Sequence, residues 1–289
     1  MAKTFASPAA FKTSLEARLK TVAAQRGLPV NTLRLKLIIE RLLARLFAKP
    51  GQPWVLKGGY AMELRYRPRA RTTRDIDLTC SADPNQEQPA RLREAREQMQ
   101  AAAEVDLGDH LIFRIEEAQT ELAGAPLGGA RFPCEAFLAG KSYGRFHIDL
   151  GFGDETGGQP EVLAGDNLLE FAGIAPAHVL AIPKPQQFAE KIHAYTRPWA
   201  DRVNTRTKDL VDMALLIETG SVIPQEVTIA TRATFTRRNT HPFPLNLPDP
   251  PASWDGEFKT MAAEARLQTT TPAAAIEFVR IFWRQVTAV

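Results

Sequence analysis

Two aspartates, Asp75 and Asp77, stand in the run Thr73-Arg74-Asp75-Ile76-Asp77-Leu78. Ile76, Leu78 and Cys80 alternate with Asp75, Asp77 and Thr79. That is the period of a β-strand, and it places both carboxylates on one face with the apolar side chains on the other. Two oxygen ligands projecting together from a strand can share a hard cation such as Mg²⁺. Upstream lies Lys57-Gly58-Gly59, ahead of a helix expected over Ala61 to Tyr66. Glycine amides at the positive end of a helix suit the charged tail of a nucleotide. A glycine turn for phosphate followed by a DxD strand for metal points to nucleotidyl transfer. Such chemistry needs charge neutralisation, in-line positioning and an activated hydroxyl, and carboxylate-held Mg²⁺ supplies much of it.

Further groups lie elsewhere in the chain. Asp149 sits mid-strand beside His147 on the polar side of Phe146, Ile148, Leu150 and Phe152, so it is a candidate third carboxylate. Three carboxylates in one patch repel unless cations join them; the alternative is an exposed strand residue. Lys191, in Phe-Ala-Glu-Lys-Ile-His-Ala-Tyr, could neutralise a β- or γ-phosphate, or could be a solvated lysine paired with Glu190. Asp209 and Asp212 share a helix face at i, i+3 and either belong to the site or satisfy the helix dipole. Arg65, Arg67, Arg69, Arg71 and Arg74 crowd the segment between glycines and carboxylates, and as a group they suggest anion binding.

These groups need elements to position them. Helices are expected over 8–25 and 31–48, separated by Gly27-Leu28-Pro29. The second carries Leu35, Ile38, Ile39, Leu42, Leu43, Leu46 and Phe47 at helical spacing, with Arg41 and Arg45 facing away and Asn31 as a cap. Trp54-Val55-Leu56 is a short strand, 89–104 a polar helix, and strands follow around Leu111–Ile115, Phe132–Leu138 and Phe146–Phe152, with a hairpin turn at Gly140–Gly144. The second half is helical: 185–196, 207–219, a helix opened by Pro224, and 272–287 after Thr271. His241 to Pro251 is proline-rich and reads as a linker or extended loop. The fold class is therefore α+β: N-terminal helices over 1–50, a small mixed-sheet core flanked by helices over 51–180, and a helical C-terminal half over 181–289. A cleft between core and helical half is the expected site.

The 289 residues, 44% of them hydrophobic, are enough for one large domain or two packed subdomains. A net charge of +3 permits an anionic partner without demanding one. Cys80 and Cys134 form no CxxC pair and accompany no histidine cluster, so a structural zinc site is not expected and both read as buried thiols of a reducing cytosol. No signal-peptide core opens the chain and no apolar run approaches the ~20 residues of a membrane span, so a cytoplasmic protein is expected.

Leu56-Lys57-Gly58-Gly59, Arg71-x-Thr73-x-Asp75-Ile76-Asp77-Leu78, the helical Lys191 and Lys208-Asp209-x-x-Asp212 together resemble the AbiEii/AbiGii toxin family of the polymerase-β-like nucleotidyltransferase superfamily. Their order and spacing agree across roughly residues 30–220. The superfamily usually places serine after the first glycine, whereas here Gly59 follows Gly58, so backbone amides carry more of the phosphate binding. The resemblance implies a nucleotidyltransferase core and a toxin–antitoxin or phage-defence (abortive infection) setting with an antitoxin encoded next door. It also implies transfer of a nucleotide from an NTP, in some members onto the tRNA 3′ end, which blocks translation. Asp75 and Asp77 would bind Mg²⁺. Lys57, Gly58, Gly59 and Arg74 would line the nucleotide, with Thr73 supporting the strand near the phosphates. Lys191 would contact the triphosphate, Asp209 would complete the active site with Asp212 as companion, and Asp149 would correspond to the third strand carboxylate. A catalytically silent nucleotide or RNA-binding module and a metal-dependent nuclease are the competing readings; the triphosphate cradle argues against the nuclease.

Overall fold

The computed structural model describes residues 5–122, 124–199 and 203–288. By its contacts the chain divides into two units. The first comprises the chain through Leu56, Thr73–Gly153 and Val162–Ala181; the second comprises Lys57–Thr72, Asp154–Glu161 and the chain from Ile182 onward.

Helix α1 (Pro8–Arg26) starts where Ser7 accepts a hydrogen bond from the Ala10 N–H and stops at Gly27, whose φ of 64° favours glycine. Helix α2 (Val30–Leu46) starts directly after Pro29; the expected cap Asn31 lies inside it and accepts from Arg34 instead. Ile38, Ile39, Leu42, Leu43 and Leu46 of its apolar stripe are fully buried, and Leu35 and Phe47 are partly so. Arg41 and Arg45, expected to face away, are buried too, at 4% and 2% exposure. The cause is Asp109, itself 0% exposed, whose carboxylate takes Arg41 Nε at 2.6 Å and Arg45 Nη2 at 2.6 Å.

The remaining elements follow in order: β1 (Val55–Lys57), α3 (Gly58–Tyr66), β2 (Asp75–Cys80), α4 (Gln88–Ala103), β3 (Leu111–Ile115), β4 (Thr120–Glu121), β5 (Gly129–Leu138) and β6 (Lys141–Phe152). Then come β7 (Glu161–Ala164), β8 (His178–Ala181), α5 (Lys184–Thr196), α6 (Thr207–Glu218), α7 (Pro224–Arg238), α8 (Asp255–Glu264) and α9 (Pro272–Thr287). The strands form one mixed sheet in the order β3-β5-β6-β2-β1-β8-β7, with β4 paired to β5. Its α+β class and helical C-terminal half are those expected.

The long hairpin β5–β6 and the parallel pair β2–β6 build the part of the sheet that matters for chemistry. The hairpin turn is shorter than expected. Ala139 and Gly140, with φ of 54° and 71°, make a two-residue turn of the kind that matches strand twist, and Lys141–Gly144 already belongs to β6. Gly144 lets α2 approach: a Cβ there would lie 2.7 Å from Ile38 Cδ1. Gly144, Phe146, Ile148 and Leu150 therefore face α2, and Ile76 and Leu78 of β2 align with Ile148 and Leu150. Cys80 and Cys134 are buried, as expected.

The second unit is a helical assembly around Phe188, Ile192, Leu210, Met213, Phe258, Val279 and Trp283. Thr271 caps α9 by accepting from the Ala274 N–H. The proline-rich stretch after α7 packs against this unit: Tyr195 OH donates to the Pro248 carbonyl at 2.9 Å and Trp283 Nε1 to that of Pro244 at 3.1 Å. Among the described residues no helix is long and apolar enough to cross a membrane.

Candidate active site

In the first unit, β2 turns Asp75 and Asp77 away from the buried Ile76–Leu78 face. Parallel pairing sets Asp75 opposite His147 and Asp77 opposite Asp149, and antiparallel pairing sets Arg131 opposite Asp149. Five polar side chains thus share one patch of sheet. Asp75 is half-exposed and meets His147 Nδ1 at 3.5 Å. Asp149 is bound by both forks of Arg131: Nε to Oδ1 at 2.7 Å and Nη2 to Oδ2 at 2.7 Å. The same Nη2 lies 3.7 Å from Asp75 Oδ2. Hydrogen bonding to Asp149, and the charges of Asp149, Asp75 and Asp77, raise the Arg131 pKa further above its ordinary value, against a smaller opposing effect of burial. Thr73, leading into β2, is buried, and Arg74 is exposed.

In the second unit the chain begins with Lys57 and the glycine turn. The helix after it starts at Gly58 itself, three residues earlier than expected, and Gly58 adopts φ 64°, a conformation in which a side chain would be strained. Gln187 Nε2 of α5 donates to the Gly58 carbonyl at 2.9 Å and so pins the turn. Lys57 Nζ contacts Asp154 and lies 3.6 Å from Glu190. Arg238 joins the same group, 2.7 Å from Asp154 and 3.3 Å from Glu190. Burial alone would lower the Lys57 pKa; Glu190 and Asp154 outweigh it and hold it above the usual lysine range.

A second charged group lies one helical step away. Lys191 Nζ bonds Asp212 Oδ2 at 2.6 Å and lies 3.4 Å from Asp209. Arg71 Nη2 reaches Asp212 at 3.1 Å, and Arg206 lies 3.7 Å from Asp209. Lys191 and Asp212 are buried, whereas Asp209 is partly open to solvent. Burial pushes the Asp212 carboxyl upward, but Arg71 and Lys191 bring it below the ordinary range.

The structure thus brings Asp75, Asp77 and Asp149 together in one unit, and Lys191, Asp209 and Asp212 together in the other. Most of the arginine run is committed internally: Arg65 to Glu161, Gln187 and the Ile182 carbonyl, Arg69 to Glu218 and two carbonyls, Arg71 to Asp212. Arg131, Asp154, Gln187 and Arg238 escaped sequence reasoning, because each is an isolated polar residue whose partner is distant in sequence; Glu190, weighed only as a partner for a solvated Lys191, instead meets Lys57 and Arg238, and Lys191 is buried. Only the alternation around Arg131 hinted at its face.

The Asp75–Asp77 pair is the hard-oxygen donor set that Mg²⁺ takes when water and substrate phosphates complete its shell. Both oxygens of Asp149 are taken by Arg131, and among the described residues no group of three or more His, Cys, Asp or Glu could hold a metal. The residues present fit a metal held by two carboxylates.

The profile of the family described as "Nucleotidyl transferase AbiEii toxin, Type IV TA system" matches residues 41–279. The chain belongs to the AbiEii nucleotidyltransferase toxin family. It is a nucleotidyltransferase toxin of the type IV toxin–antitoxin class. Among solved structures it is similar to MenT4, a nucleotidyltransferase toxin from Mycobacterium tuberculosis H37Rv, with a TM-score of 0.55 over 93% of this chain and 98% of that one. Identity there is 15%, so the likeness is one of fold. No curated protein matches the sequence. The AbiEii match spans the glycine turn, β2, β6, α5 and α6, and residues 41–279 include every candidate residue.

Proposed function

We propose that this AbiEii toxin transfers a nucleoside monophosphate from an NTP to the 3′ end of tRNA, with Mg²⁺ as cofactor, and thereby arrests translation and growth in the cytoplasm. The observation that carries the reading is the pair of carboxylates, Asp75 and Asp77, on one polar face of β2 within the family-matched region.

Asp75 and Asp77 hold Mg²⁺ in this reading. The bound cation neutralises phosphate charge during in-line displacement. The backbone amides after Gly58 bind the triphosphate, with Lys57 and Gln187 fixing the turn that presents them. Lys191 supplies positive charge toward the phosphates, oriented by Asp212. Asp209, the more exposed of the two α6 carboxylates, completes the site. Thr73 supports the entry to β2, and the exposed Arg74 meets the nucleotide. A cognate antitoxin encoded next to the toxin restrains it.

The test incubates purified protein and Mg²⁺ with each α-labelled NTP, with and without total tRNA, beside Asp75→Ala. Label on tRNA from one or two NTPs, lost in the folded mutant, is expected. Label on the protein itself would move the acceptor. Nucleotide binding without any label would sink the transferase reading, and RNA shortening would replace it with hydrolysis.

A further inference from the structure

Arg131 clamps Asp149, the residue expected to act as the third carboxylate of this face. Pairing across three adjacent strands sets Asp77, Asp149 and Arg131 in one transverse row. Arg131 folds back along that row. Its bidentate clamp uses both oxygens of Asp149, and its Nη2 reaches to 3.7 Å from Asp75. The geometry is the planar fork-to-fork pairing that a guanidinium makes with a carboxylate and an ammonium cannot. Nη1 has no hydrogen-bond partner among the described residues, and the side chain is 38% exposed, so two N–H donors remain available.

The clamp has a consequence for metal binding. With Asp149 held by Arg131, the donor set for a divalent ion on this face is Asp75 and Asp77, which suits one ion whose shell water and phosphate complete. A second ion would have to displace a guanidinium that is already doubly hydrogen-bonded.

We propose that Arg131 is a resident cation of the carboxylate face. It withdraws Asp149 from metal binding, limits the face to one divalent ion on Asp75 and Asp77, and offers Nη1 to a phosphate oxygen. Asp149 is then a positioning residue that holds Arg131. This inference rests on the reading of Asp75 and Asp77 as metal ligands.

The test is Mn²⁺ binding to the full chain, read by electron paramagnetic resonance of the free ion, with thermal melts to verify folding. The variants are Asp75→Asn, Arg131→Gln and Asp149→Asn. The wild type should bind one Mn²⁺, and Asp75→Asn should lose it. Asp149→Asn should keep one site, weakened by about tenfold because a unit negative charge beside the ligands is gone while both ligands remain. Arg131→Gln should bind a second ion, or bind the first at least about tenfold more tightly, because a unit positive charge close to the ligands is gone. Two ions in the wild type, loss of the ion in Asp149→Asn, or unchanged binding in Arg131→Gln would overturn the proposal. If Arg131→Gln does not fold, Asp149→Asn decides. Retention of the ion in Asp75→Asn would instead remove the metal reading beneath it, a result distinct from failure of Arg131 alone.

Discussion

Asp209 and Asp212 occupy one face of α6 and both meet Lys191, yet their substitution should have different consequences. Asp212 is 1% exposed and is the short partner of two cations, Lys191 at 2.6 Å and Arg71 at 3.1 Å. Asp212→Asn leaves both cations buried with their main counter-charge gone. Breaking a buried pair in this way costs about 3–5 kcal/mol. For a domain of a few hundred residues, each kcal/mol moves Tm by about 2–4 °C, so a fall of about 6–20 °C is expected. Asp209 is partly open and its cations lie at 3.4 and 3.7 Å, so Asp209→Asn should cost about 1 kcal/mol, including its share of the helix dipole. The signs with pH follow. The depressed Asp212 carboxyl contributes stability that is complete above the unfolded value of about 4 and is lost as pH falls through the folded value. The raised Lys191 contributes stability that is complete below about 10.4 and is lost as pH rises through its folded value. The assay is differential scanning fluorimetry of both variants, with NTP transfer measured well below each midpoint. Equal Tm losses, or a larger loss for Asp209→Asn, would refute the reasoning.

Other outcomes can be checked alongside. Lys57→Met should lower stability by about 3–5 kcal/mol, because Asp154 and Glu190 lose a buried partner, and Lys57→Arg should recover part of it; chemical denaturation reads both. Burial, then the charges of Arg238 and His241, push the His193 pKa down to about 3. Stability should therefore decline as pH falls from about 6.5 toward that value, as the unfolded chain takes up the proton first, and His193→Gln should flatten the slope between pH 6.5 and 5. Asp77→Asn, or chelation of divalent ions, should cut nucleotide transfer by about 10²–10⁴-fold, the equivalent of several kcal/mol of lost charge stabilisation, while the melting curve stays in place.

The parts legible in the sequence are those where chemistry and periodicity coincide. Alternation located β2 and β6 and told which residues face the core, since an apolar partner at every second position leaves few registers open. Helical spacing located α2, α5, α6 and α9 for the same reason. Other than β1, the short elements were not legible: β4, β7 and β8 run two to four residues, too few to show a period, and α8 follows the proline-rich stretch with only Phe258 and Ala262 buried. Charge partners were the least visible. Arg41 and Arg45 sit on a face that periodicity marks as polar, and only the arrival of Asp109 from more than sixty residues away makes burial tolerable. Asp149 was recognised by its place in a strand, while Arg131, which decides what that carboxylate can do, is 18 residues away and separated from it by a hairpin.

Helix α5 shows why the weakest motif in the sequence still carries structural weight. Gln187, Glu190 and Lys191 stand at i, i+3 and i+4, the spacing that aligns side chains along one face. Gln187 holds the Gly58 carbonyl, Glu190 meets Lys57 and Arg238, and Lys191 meets Asp212 and Asp209. The adjoining side buries Phe188, Ile192 and Tyr195 in the core. Glu190 and Lys191 are neighbours in sequence and oppositely charged, but they serve different partners because consecutive helical residues point about 100° apart. One rigid helix, anchored by its apolar side, therefore sets the glycine turn and the α6 carboxylates relative to each other. A substitution that rotates α5, such as Phe188→Ala, should disturb both charged groups at once, whereas Gln187→Ala should loosen the turn and leave Lys191 with Asp212.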